Sequence, residues 1–312
     1  MDSYILTCSF SLGIAKESPK FKDIEAISRN CQVKPPSDTA ASEAFAEQVQ
    51  LILHTCNEKE YMAVLEKLER PTASDGKPLD DCPLYFPNNV TVIGMFAGYR
   101  VALMKTGQAD QCIVPLVNAR RSVFPNTQAI IGVGIAYAKS TDLKFADVMV
   151  SDQIENCVQV RWENNKITNR GARYPVDLNL RETFCIPAET FWVSKVFPCT
   201  DNDRRKPCLH VGCIVSAPWL VRDLELKKKL FEHTPYAKGG EMEGWALLIV
   251  KGIYPDVGVI IIKGVADYGD KDKEDDWQLT AAKAAVHYTH SRLKEAGGKE
   301  FCGKHKYWGV LL

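Results

Sequence analysis

The stretch from Gly239 to Trp277 constrains the fold of this chain more than any other. It opens with Gly239-Gly240-Glu241-Met242-Glu243-Gly244 and runs into Trp245, Leu247, Leu248, Ile249 and Val250, a spacing that predicts a buried helix ending near Lys251-Gly252. Val257 to Val265 follows almost at once. It is Val/Ile-rich and nearly continuous in its apolar residues, as a strand covered on both faces is, and it ends at Ala266-Asp267-Tyr268-Gly269-Asp270. Ligands of open parallel sheets sit beyond the carboxyl ends of the strands. Asp267 is therefore expected at a strand's active end, with Glu241 and Glu243 in the first turn of the helix before it, so that three carboxylates converge on one crevice.

The rest of the chain alternates in the same way. Val49 to His54 reads as a first core strand and Glu58 to Leu68 as the helix behind it, with Tyr61, Val64, Leu65 and Leu68 on one face. Arg70 to Asn89 is a Pro/Asp/Gly-rich loop. Val90–Phe96 and Tyr99–Met104 form a hairpin candidate around Ala97-Gly98. A helix is predicted over Gln108–Phe124, a buried strand over Gln128–Ile135 and a short strand over Asp147–Ser151. Asn156 to Cys208 is polar, carries Arg170, Arg173, Arg181 and Arg204-Arg205, and is expected to hold substrate-side loops. Leu209–Ser216 reads as a strand, Leu220–Phe231 as a helix and Ala281–Leu293 as the closing helix. Strands alternating with helices in this order predict an α/β fold, a doubly wound mixed sheet flanked by helices, in one domain over 47–312. Residues 1–46, polar and Pro-containing after a moderately apolar Tyr4–Ala15, read as an N-terminal arm rather than a secretion signal.

Composition removes several function classes. Lys plus Arg balances Asp plus Glu at 39 each, so no global field favours nucleic acid. No run approaches the roughly 20 apolar residues of a membrane span. The 11 cysteines, an odd number without a paired framework, fit reduced thiols in a cytoplasmic protein. Cys208 with His210 and Cys213, His287 with His290, and Cys302 with His305 lack the paired spacing of a structural zinc site, so no metal is expected. Neither a Walker-type glycine loop nor a Gly-x-Ser-x-Gly elbow is present.

Glu241-Met242-Glu243 together with Lys263-Gly264-Val265-Ala266-Asp267 resembles the nucleoside phosphorylase and methylthioadenosine/S-adenosylhomocysteine nucleosidase superfamily. The wording, with Tyr268, Trp277 and Gln278, is closest to the nucleoside-phosphorylase-like domains associated with NACHT and ankyrin modules. The resemblance implies cleavage of a purine nucleoside's N-ribosidic bond without a cofactor, in a homo-oligomer. Such cleavage needs a protonated leaving base, a stabilised oxocarbenium-like sugar and a nucleophile on the opposite face. By resemblance, Asp267 protonates the purine N7, Glu243 holds the ribose hydroxyls beside Glu241, and Met242 lies under the sugar. Glu60 is the match for the acid that positions water, and Glu58 is the other possibility. Gly134 and Ile135, in the central strand, would let the backbone approach the ribose, although close packing of a helix explains the glycine equally well. Ser216-Ala217-Pro218-Trp219-Leu220 matches the segment that covers the base, with Ala217-Pro218 replacing a small polar pair, and Trp219 as a stacking candidate.

Each acid also has a plain structural reading: Glu241 and Glu243 as complements to a helix dipole, Asp267 as a loop acid, Glu60 as an exposed helix partner. Phosphorylases of the hexameric type carry an Arg and a Ser where Gly132 and Ile135 stand here. Hydrolysis is therefore favoured. Phosphorolysis, with phosphate as co-substrate, needs Arg100, Arg120 or Arg173 to arrive from elsewhere. A nucleoside-binding or sensor domain with little turnover is the remaining alternative.

Overall fold

A computed structural model describes residues 39–69, 84–85, 91–158, 160–163, 166–186, 206–270 and 277–301, all within one compact unit that spans 33–312. Residues 1–38 of the arm expected over 1–46, most of the loop over 70–89, Arg204-Arg205, and Cys302 with His305 lie outside the described residues. In chain order the elements are α1 (Thr39–Ala46), β1 (Leu51–Thr55), α2 (Glu58–Leu65), β2 (Leu84–Tyr85), β3 (Thr91–Phe96) and β4 (Tyr99–Lys105). A 3-10 turn (Ala109–Cys112), α3 (Ile113–Asn118) and a π turn (Ala119–Val123) lead to β5 (Ala129–Ala138). Then come β6 (Val148–Asn156), β7 (Val160–Glu163), β8 (Lys166–Asn169), β9 (Arg173–Pro175), α4 (Leu178–Phe184), β10 (Leu209–Ser216) and α5 (Leu224–His233). The chain closes with β11 (Gly239–Glu241), α6 (Gly244–Ile253), β12 (Gly258–Asp267) and α7 (Trp277–Ala296).

The main sheet runs β11-β10-β6-β12-β5-β1-β4-β3-β2 and is mixed. β5 is parallel to both β1 and β12, β6 is antiparallel to β12 and parallel to β10, and β3–β4 is the expected hairpin. That hairpin turns on Ala97 (φ 52°) and Gly98 (φ 87°). Left-handed geometry at both turn positions matches the twist of the strands they join. β11 pairs with β10 and, antiparallel, with the end of β5, so the sheet curls back on itself there. α6 packs over the face that carries Gly132, and α7 over the face that carries Gly264. Between these helices β12 is almost wholly buried. Ile260, Ile261 and Ile262 are 0 % exposed, each contributing about 1.5–3 kcal/mol relative to an exposed side chain.

Three differences from the sequence reading have physical causes. The helix expected over Gln108–Phe124 is broken into three short pieces. Pro115 lacks an N–H and cannot bond back into the preceding turn, so the α-helical piece can begin only just before it. Glu241 lies at the end of β11 rather than in a helix, because Gly239 and Gly240 pair with Ala138 and Tyr137 of β5. α1 falls within the stretch read as a surface arm, yet Phe45 and Ala46 are buried in the main core.

Candidate active site

The capping of α2 builds the first part of the site. Asn57 Oδ1 accepts from the Glu60 N–H at 3.0 Å, and the Glu60 carboxylate returns to the Asn57 N–H at 3.2 Å, a reciprocal capping box. The same carboxylate does more. Its Oε2 accepts from the Cys56 N–H at 2.8 Å and the Cys56 thiol at 2.9 Å, and its Oε1 accepts from the Ile135 N–H of β5 at 2.8 Å. Glu60 is 1 % exposed, which rules out the exposed-helix reading. Glu58 instead points outward to Lys105.

Lys263, 2 % exposed in mid β12, joins this acid to a second one. Its Nζ lies 3.8 Å from Glu60 Oε1 and 3.4 Å from Glu243 Oε2. Burial alone would raise the Glu60 pKa, but the Lys263 ammonium and the donors from Cys56 and Ile135 bring it below the ordinary value. Burial would likewise lower the Lys263 pKa, and Glu60 and Glu243 instead lift it well above the usual lysine range. Glu243 goes the other way. Burial, with Glu241 and Glu60 adding to it against Lys263, pushes its carboxyl up to about 7. His54 of β1, buried and 2.7 Å from Thr106 Oγ1, is driven down to about 3 by burial and by Lys263, so it stays neutral. The cluster thus holds an ionised acid, a charged amine and an acid that changes state near neutrality.

The start of α6 sets Glu243. It is the N-cap residue, and its Oε1 is 3.5 Å from the N–H of Ala109, which stands at φ 54°. A non-glycine residue in that region costs on the order of 1 kcal/mol and is held by its surroundings. Glu241 Oε2 accepts from the N–H of Glu243 at 2.9 Å, and both its oxygens lie 3.0 Å from the Gly244 N–H. From the end of its strand it satisfies the unpaired donors that open the helix. Asp267, the last residue of β12, accepts from the Gly269 N–H at 2.8 Å, which folds the turn that follows.

A Neisseria meningitidis 5′-methylthioadenosine/S-adenosylhomocysteine nucleosidase, solved with methylthio-immucillin-A, superposes with a TM-score of 0.61 at 20% identity, covering 79% of this chain and 99% of that one. The chain therefore shares the fold of this nucleosidase, a mixed sheet flanked by helices. Futalosine hydrolase of Helicobacter pylori shares this nucleosidase fold with a TM-score of 0.61 at 15% identity, over 80% of this chain and 98% of that one. A curated relative, the death domain-containing ATP nucleosidase of Amphimedon queenslandica, is 26% identical over 287 residues, 86% of this chain. The chain spans about half, 52%, of that relative's length. No family model matches.

Within the nucleosidase fold the remaining expected residues separate. Gly134 does make room, but for Glu60: a Cβ there would lie 2.0 Å from Glu60 Oε1. Ile135 contributes its N–H to that acid. Ser216 is fully buried and its Oγ accepts from the Trp245 N–H at 2.8 Å, so it caps α6. Met242 is half-buried beside the two acids, Trp219 packs against the small core around Val215 and Phe231, and Leu220 is 49 % exposed. Trp277 opens α7 and stacks on Phe145 with ring centroids 5.1 Å apart. Among the described residues no group of His, Cys, Asp and Glu could hold a metal ion, and no helix is long and apolar enough to cross a membrane. Lys263, part of the motif that carries the resemblance, was given no role from sequence. Its one signal was a charged residue inside an otherwise continuous apolar strand, which a core position does not tolerate without partners.

Proposed function

We propose that this chain hydrolyses the N-ribosidic bond of a purine nucleoside. The observation that carries the reading is the buried Glu60–Lys263–Glu243 bridge. Glu60, held ionised by an ammonium, three N–H donors and one thiol, is suited to orient a water and take its proton as the water oxygen bonds to C1′. Glu243 accepts hydrogen bonds from the ribose hydroxyls, with Met242 against the sugar. Asp267 protonates N7, so that the C1′–N9 electrons leave with a neutral base. The products are free ribose, or its 5′-substituted form, and the purine.

Charge favours water over phosphate. Three carboxyl groups, Glu60, Glu241 and Glu243, surround one ammonium whose charge they already use. A phosphate dianion entering there would meet net repulsion. Arg120 is held by Asp256 and the Pro125 carbonyl, and Arg173 by Glu155 and Tyr236, so both guanidinium groups have other partners. The nucleosidase names of the relatives support the same choice. A cytoplasmic homo-oligomer completes the proposal. Exposed Val114 on α3 and Ile249 and Ile253 on α6, two helices packed together, offer an apolar face for a second copy.

The test is base release from adenosine, inosine, guanosine, methylthioadenosine and ATP, with and without phosphate. Hydrolysis predicts release without phosphate and its loss in Asp267→Asn, by about 10²- to 10⁴-fold. Release only with phosphate would make the protein a phosphorylase. Calorimetric binding with no release would make it a sensor.

A further inference from the structure

Tyr137 lies where three parts of the candidate site meet, and no role proposed above uses it. It sits on β5 in register with Asp267 of β12 on one side and with Gly240 of β11 on the other. Its ring belongs to one apolar cluster with Ala217, Val221 and Trp219, the segment that follows β10, and it meets Phe231 edge-on at 6.2 Å. The ring also underlies the Asp267–Gly269 turn, since a Cβ on Gly269 would come within 3.3 Å of it. The hydroxyl reaches across to β11: a Cβ on Gly240 would stand 2.1 Å from Oη, so only glycine leaves room for it.

Tyr137 is 8 % exposed, and its hydroxyl, which is not one of the fully enclosed unpaired polar atoms, makes no hydrogen bond among the described residues. A hydroxyl that keeps some access to solvent and makes no bond within the protein can exchange its water for a ligand's polar edge. Burial first, then Cys157, Glu241 and Asp267, keep this phenol well above its usual range, so it remains a donor as well as an acceptor. A donor and acceptor between Asp267 and the Glu-Met-Glu segment, flanked by Ala217, Val221 and Trp219, is suited to a flat heterocycle with polar edges. We infer that the Tyr137 hydroxyl hydrogen-bonds the purine ring of the bound nucleoside and is a specificity-determining residue, an inference that rests on the nucleosidase reading.

The experiment is Tyr137→Phe, which keeps the ring and removes only the oxygen. Adenine, hypoxanthine and guanine are titrated calorimetrically into wild type and variant. KM and kcat for the matching nucleosides and the thermal midpoint are measured in parallel. The expected result is affinity for the preferred base weakened about threefold to tenfold, KM raised by a similar factor and kcat within about twofold, with a thermal midpoint equal to or above that of wild type. Unchanged base affinity and KM would overturn the assignment. So would a lowered midpoint, which marks the hydroxyl as structural. A wild type that neither binds nor releases any of these bases removes the nucleosidase reading and this inference with it. A wild type that binds a base without turnover removes only the catalytic reading, and the titration still decides Tyr137.

Discussion

Replacing Glu243 by Gln removes a titration that the fold has displaced and leaves the side chain's shape. Burial and the neighbouring acids lift the Glu243 carboxyl from the ordinary 4.5 to about 7 in the folded state. Below about pH 4.5 both folded and unfolded chains hold this proton. Between 4.5 and 7 the unfolded chain releases it while the folded chain keeps it, so stability falls as pH rises, by about 1.4 kcal/mol per unit. Above about 7 the folded group ionises too and the loss levels off. The displacement corresponds to about 3 kcal/mol between the two plateaus. Urea denaturation at half-unit steps from pH 4.5 to 8 reads it directly. With a slope of about 2–3 kcal/mol/M, the wild-type midpoint should drop by about 1 M relative to Glu243→Gln over that range. A wild-type minus variant difference that stays flat, or that grows in the wild type's favour with pH, would refute the reasoning about this carboxyl's surroundings.

Lys263→Met leaves two buried acids without their cation, and about 3–5 kcal/mol of stability should be lost at pH 7.5. The deficit should shrink at pH 5, where both acids can take up protons, as measured by the same urea titration. Glu60→Gln should lower kcat for base release about 100-fold or more with KM nearly unchanged, because the acid is assigned to the water and not to the nucleoside. Gly134→Ala drives a methyl group into the Glu60 carboxylate and should cost about 1–3 kcal/mol. Glu60→Ala in the same chain should recover most of that loss, and a double-mutant cycle showing simple additivity would break the link between the two positions.

Much of this arrangement was legible in the chain. The strand ending in Asp267 and the helix after Glu243 announce themselves because a long apolar run followed by an acid, and an acid before an apolar periodic segment, each leave few alternatives. Glu60 was readable as a helix-start acid, but not as a buried one: its partners are Ile135, 75 residues on, and Lys263 on another strand. Such distant pairings leave no periodic trace. Glu241 was misread for a related reason. Two glycines before an acid carry no strand propensity, and only the pairing with Tyr137 and Ala138 makes a strand of them. The broken helix near Pro115 was open to prediction from the proline alone. Ser216 and Gly134 were found by position, but not their protein neighbours Trp245 and Glu60, since a small residue shows that something comes close without showing what.

β11 is three residues long, and α6 begins only three positions after it ends. One added residue between Gly240 and Gly244 would advance Glu243 by about 3.3 Å, roughly the reach of its contact with Lys263, while the strand stayed pinned at its other end. Spacing in this segment is therefore held more tightly than wording. A library of single-residue insertions should show a sharp hole here, even where substitutions at the same sites leave a soluble, folded protein.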